Sequence, residues 1–143
     1  MWSQRITLTD PEKVFIIVKN GYSTASITVG QCVCWDTTAA DGLTVNKPTT
    51  TASALFAGVV KDAAIVYGGY GQVQVYGYNS DCLVSGGTDV AVSDKLGLGI
   101  ARSEFNLVKP TGTTITQESP VAVAFQAFTT STAAAKKVFL RVM

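Results

Sequence analysis

The stretch Phe56–Leu98, FAGVVKDAAIVYGGYGQVQVYGYNSDCLVSGGTDVAVSDKLGL, decides how the chain is read. Short runs of β-branched and aromatic residues are cut at near-regular spacing by glycine: FAGVV, then GGYGQVQVYGY, then CLVSGGTDVAVSDKLGL. Runs of strand length bounded by glycine, serine and aspartate mark a compact antiparallel β domain. The clearest strand is Gln72–Tyr78, in which Val73, Val75 and Gly77 face one way and Gln72, Gln74, Tyr76 and Tyr78 the other. A face of two glutamines and two tyrosines suits a half-wet contact with another subunit, so Tyr76 and Tyr78 are candidate interface or core residues.

Working outward, Lys13–Val18 is an apolar run of strand length closed by Asn20-Gly21, a turn dipeptide that predicts a first hairpin. Ser23–Trp35 alternates, with Gly30 marking a bulge or turn before Gln31–Trp35. Asp36–Ala54 reads as a long polar excursion with one short strand at Leu43–Asn46, and Leu55–Val60 resumes strand character. Cys82–Val84 is a further strand, followed by a turn at Ser85-Gly86-Gly87 and a polar turn at Ser93-Asp94-Lys95. Phe105–Val108, Val121–Thr129 and Val138–Met143 supply the last strands, and the alanine-rich Ser131–Lys137 serves as one helical turn or a loop. About ten strands without an amphipathic helix predict an all-β fold: a compact antiparallel barrel or sandwich with a long polar loop and an extended N-terminal arm. The arm is residues 1–12, and residues 13–143 form a single β domain.

Composition narrows the function. Of 143 residues, 47 % are apolar and only 15 % charged, against roughly 25 % charged in an average soluble domain. Threonine, serine and glycine cover part of the surface, and a partner is expected to cover more. A formal net charge of +1 leaves no basic stripe, which argues against direct nucleic-acid binding. No apolar run has the length of a membrane span and the start lacks a secretory signal, so the expectation is a soluble, cytoplasmically made chain with no membrane partner.

Histidine is absent, and no lysine or amino terminus is flagged as a base for a serine or cysteine nucleophile, so no catalytic residues are assigned and no enzyme is expected. Asp36, Asp41, Asp62, Asp81, Asp89 and Asp94 sit in turn-like contexts where aspartate bonds its own backbone. Gly68, Gly69 and Gly71 precede a strand and carry no phosphate-loop lysine. Thr88, Asp89 and Asp94 do not match a calcium loop, and Cys32, Cys34 and Cys82 lack a fourth zinc ligand. Neither a metal nor a cofactor is assigned. The three cysteines read as buried thiols, with a bridge from Cys82 to Cys32 or Cys34 open to an oxidising setting.

The order of pieces Ala57-Gly58-Val59, Gly71–Gly77 and Val84–Leu96 resembles the "AGV", "G.VQV.G" and "V.G.TDVA.GD.L" segments of capsid decoration (cement) proteins from tailed bacteriophages. The match covers about a third of the chain and departs from the pattern at Ser93, where a small glycine turn is usual. The resemblance implies a virion protein on the outer face of the head that bridges neighbouring copies of the major capsid protein, as a homo-oligomer with a trimer favoured. It implies no catalytic residues. For such a role the candidate docking elements are the arm Met1–Asp10, with Trp2 as aromatic anchor and Arg5 as hydrogen-bonding partner, and the loop Asp36–Ser53. Trp35 is a further candidate contact. It also leads the alternative reading, a tail, fibre or surface β module that binds a host glycan through Trp35 and the tyrosines.

Overall fold

The computed structural model describes residues 12–48, 55–85, 89–99, 106–109, 120–129 and 132–142; Trp2, Arg5 and the rest of the N-terminal arm lie outside these. The fold is all-β, with no α-helix among the described residues. Its nine strands are β1 (Val14–Asn20), β2 (Cys32–Trp35), β3 (Thr44–Asn46), β4 (Phe56–Val60), β5 (Tyr70–Ser85), β6 (Lys95–Gly99), β7 (Asn106–Val108), β8 (Ala122–Ala124) and β9 (Ala134–Arg141).

All nine belong to one sheet, in the order β1-β3-β2-β4-β5-β7-β6-β8-β9, and β5 also pairs with β1 and with β9. The hydrogen bonding therefore closes twice. One circuit runs β1-β3-β2-β4-β5 and back to β1, the other β5-β7-β6-β8-β9 and back to β5, and the 16-residue β5 serves both. Closure gives every strand a partner on both sides over part of its length, which shortens the free edges that make open sheets liable to aggregate.

The two circuits follow one plan. Parallel β1–β3 corresponds to parallel β5–β7, and every other pairing in each circuit is antiparallel. The isolated bridge Ile27–Ile65 corresponds to Val90–Phe128. In the turn before β2, the Gln31 amide donates to the Thr28 carbonyl and the Gln31 Oε1 accepts from the Thr28 amide at 2.6 Å. Before β6, the Asp94 amide donates to Ala91 and Asp94 Oδ2 accepts from the Ala91 amide at 2.7 Å. Each turn then ties to its circuit alike, with Gly30 donating to Val60 and Ser93 to Ala124. Ser93 takes φ 77° where Gly30 has φ 85°, so the residue that departs from the glycine pattern adopts the glycine conformation.

The cores repeat as well. Val18, Ile27, Val33, Val45, Ala57, Val60, Ile65, Val73 and Val75 fill the first circuit. At the matching register positions Cys82, Val90, Leu96, Leu107, Val121, Ala124, Phe128, Val138 and Leu140 fill the second. Burying each Leu, Ile, Val or Phe contributes about 1.5–3 kcal/mol. The second cluster also takes in Cys32, Cys34, Phe56 and Val59 from the outward side of β2 and β4, which joins the circuits into one packed body.

Several local expectations are corrected. Asn20-Gly21 makes no hairpin: neither residue has the positive φ that a tight hairpin turn demands. Instead the Asn20 backbone bonds Gly68 and Gly69, its side-chain Nδ2 donates to the Ile65 carbonyl at 2.7 Å, and Gly21 extends the ladder with Val45. Gln72–Tyr78 and Cys82–Val84 are one strand, bent by positive φ at Gly77 and a bulge between Asn79 and Cys82. Alanine-rich Ala134–Lys136 is strand because it pairs with Val84, Leu83 and Cys82, and that pairing overrides helix propensity. The antiparallel expectation holds except for two parallel pairs, one in each circuit.

Candidate functional site

Of the candidate interface residues, the structure brings Tyr76 and Tyr78 together on the outward side of β5, both half-buried. Tyr76 meets Phe139 edge-on with ring centroids 5.2 Å apart, Phe139 lies 5.9 Å from Phe125, and Phe125 lies 6.3 Å from Tyr78. The pairing Tyr78–Phe139 between β5 and β9 sets this cluster, and Phe125 enters from the bend after β8. Gln74, expected on the same half-wet face, is instead fully buried. Its Nε2 donates to the Tyr76 and Tyr78 carbonyls at 3.0 Å and its Oε1 accepts from Asn79 Nδ2 at 3.0 Å. The bend at Gly77 turns those carbonyls inward, and a buried amide without such partners would cost about 1–3 kcal/mol.

Trp35 ends β2 on the far side of the first circuit, packed against its core. With Asp36, Thr38, Asn46 and Lys47 it lines a cleft of about 220 Å³. Backbone amides of Thr38 and Ala39 donate to Asp36 Oδ1 and hold this carboxyl below its ordinary range. Nearby Asp41 is lowered to about 2 by the Thr44 hydroxyl and the Thr44 and Leu43 amides. Both aspartates act as turn acceptors, as their sequence context predicts.

A further apolar surface lies on the first circuit, and only its tyrosines, Tyr67 and Tyr70, stand out in the sequence as interface candidates. Ile17 is 55 % exposed, Val66 61 %, Tyr67 62 % and Tyr70 64 %, and Phe15 is exposed beside them. Cross-strand pairs Phe15–Gln74, Ile17–Gln72 and Lys19–Tyr70 put Phe15, Ile17 and Tyr70 on one outward stripe of β1 and β5, with Val66 and Tyr67 in the turn that leads into β5. The signal was present in VFIIVKN, which carries large apolar residues at both parities where a half-solvated strand carries them at one.

Lys61 pairs with Asp81, and Lys109 Nζ lies 2.7 Å from Asp94 Oδ2. The Lys109 contact and the Ala91 amide lower the Asp94 carboxyl. Cys34 is pushed up to about 12 by burial. Among the described residues no group of three metal-ligating side chains converges.

The sequence matches no protein-family model and no curated protein. Its fold is found among solved structures: the crystal structure of head fiber gp8.5 N base in bacteriophage phi29 superposes with a TM-score of 0.52 at 12 % identity. The likeness spans 92 % of this chain and 96 % of that one, so it takes in both circuits rather than one shared motif.

Proposed function

We propose that this protein is a non-enzymatic structural component of a bacteriophage virion, attached to the head. The observation that carries the reading is the end-to-end likeness of fold to the phi29 head fiber base. The resemblance of Ala57-Gly58-Val59, Gly71–Gly77 and Val84–Leu96 to head decoration segments points the same way. In finer form, the protein sits on the outer face of the head, contacts the major capsid protein, and acts as a homo-oligomer, with a trimer favoured. The low charge and the open stripe of Phe15, Ile17 and Tyr70 suit a chain that finishes burying its surface on assembly. Symmetric repetition would supply avidity from many modest contacts.

The test is co-sedimentation of the purified protein with empty heads. Retention on heads, weakened by deletion of residues 1–10 with the fold intact, is the expected result. Failure to associate with heads at any salt concentration rejects the assignment.

A glycan-binding surface module is the second reading. The Trp35 cleft favours it, since it sets an indole beside the polar side chains Asp36, Asn46 and Lys47. Binding on a glycan array that is lost in Trp35→Ala would move the assignment to this reading.

A further inference from the structure

All three cysteines are free thiols in the structure, and all are buried. Two of them, Cys32 and Cys82, are completely shielded from solvent, and their Sγ atoms lie 4.0 Å apart across a separation of 50 residues. They come from different circuits. Cys32 is on the outward side of β2 in the first, whereas Cys82 occupies an inward position of the second, at the point where the outer side of β2 and β4 joins the second core. Cys34 stands two residues further along β2 and lines the Trp35 cleft.

We propose that Cys32 and Cys82 form a redox-modifiable pair whose oxidation to a disulfide staples the two circuits together. A disulfide needs its sulfurs at about 2.05 Å, so about 2 Å of approach is required of two side chains already in contact. The oxidant is a low-molecular-weight disulfide such as oxidised glutathione. One protein thiolate attacks it, forming a mixed disulfide and expelling one glutathione thiolate. The second protein thiolate then attacks the protein sulfur of the mixed disulfide and expels the other glutathione. Two protein thiols are oxidised, and one glutathione disulfide is reduced to two glutathiones.

Burial raises the Cys32 thiol well above its ordinary range. Full burial also keeps an oxidant away, so the bond forms during folding or local opening and the intact native state reacts slowly. Linking positions 50 residues apart restricts the unfolded chain more than a local bridge would, though the gain grows only with the logarithm of loop length.

The test uses the full chain carrying Cys34→Ala, with Cys34→Val as a second variant should the first fail to fold. Each is reduced, unfolded and refolded in a reduced/oxidised glutathione mixture. The expected product has lost two titratable thiols, gives a Cys32–Cys82 cross-linked peptide on digestion without reductant, and melts several degrees above its reduced form. Two free thiols after refolding, stable glutathione adducts on either cysteine, or a bridged product that melts below the reduced one would each overturn the proposal.

Discussion

The first circuit and the second share a strand plan, a bridge and a capped turn, yet their outward faces have opposite characters. On β2 and β4 the first circuit presents Cys32, Cys34, Phe56 and Val59, all buried against the second core. The matching positions are Lys95 and Gly97 on β6, Val123 on β8 and Pro120 just before it, of which Lys95 and Pro120 are exposed. The apolar version seats one circuit on the other, while lysine and proline on the other face disfavour seating a third. Repeat proteins end their stacks with polar outer faces in the same way. The open apolar stripe lies elsewhere, on β1 and the start of β5. Where the first circuit places Ile17 and Tyr70, the second places Asp81 and Ala135, so this surface belongs to one half only.

The largest contrast is expected at Phe56. Phe56→Ala removes a side chain only 2 % exposed from the junction of the circuits and should cost about 3–5 kcal/mol. Lys95→Ala, at the position matching Cys32, should stay within about 0.5 kcal/mol. Equal losses in denaturant titration would mean that the two faces do not differ as described.

Next comes Gly30. A β-carbon there would sit 2.1 Å from the Asp81 carbonyl oxygen, on a backbone with φ +85°. Gly30→Ala should therefore cost about 2–4 kcal/mol, combining left-handed strain with a clash against backbone. A thermal midpoint unchanged from the parent would show that the turn tolerates side chains generally.

The matching change in the second circuit should act in the opposite direction. Ser93 already bears the left-handed strain at φ 77°. Ser93→Gly releases about 1–2 kcal/mol of it while giving back about 0.4–1 kcal/mol through the freer unfolded chain. A net stabilisation of about 0–1.6 kcal/mol is expected. Destabilisation on calorimetry would contradict it.

The smallest effect separates the two caps by pH. Asp94 is held below 3.8 by Lys109 and the Ala91 amide, so its contribution is complete above that value and is lost as pH falls through the folded-state value. Gln31 performs the same capping without a titratable group. In acid titration by NMR, the Ala91 amide shift should move below pH 3.8 and the Thr28 amide should not. Parallel movement of both would show that the acid response is global rather than local to this cap.

Much of the local structure was legible. FAGVV, CVCW and the Gln72–Tyr78 alternation became strands, and the turns at Gly30 and Ser93-Asp94 lie where glycine, serine and aspartate placed them. The candidate surface was only partly legible. Tyr76 and Tyr78 are half-exposed as their alternation implies, but Phe125 and Phe139 join them through pairings that bring distant segments together. The internal duplication left little trace in residue identity, since Asn20 corresponds to Val84, Gln31 to Asp94 and Lys61 to Phe125. What repeats is hydrogen-bond register, and side chains of different chemistry satisfy it equally.

Residue order alone committed this chain to β structure, because period-two patterning and glycine punctuation act within a few residues and need no partner to be expressed. Tertiary structure decided which strands pair, that two pairings run parallel, that β5 closes both circuits, and that Gln74 is buried while Ile17 is open. Those outcomes lie beyond local patterning because a strand's alternation specifies its faces but not its neighbours. A 16-residue strand can satisfy both ends only when two sets of partners fold around it at once.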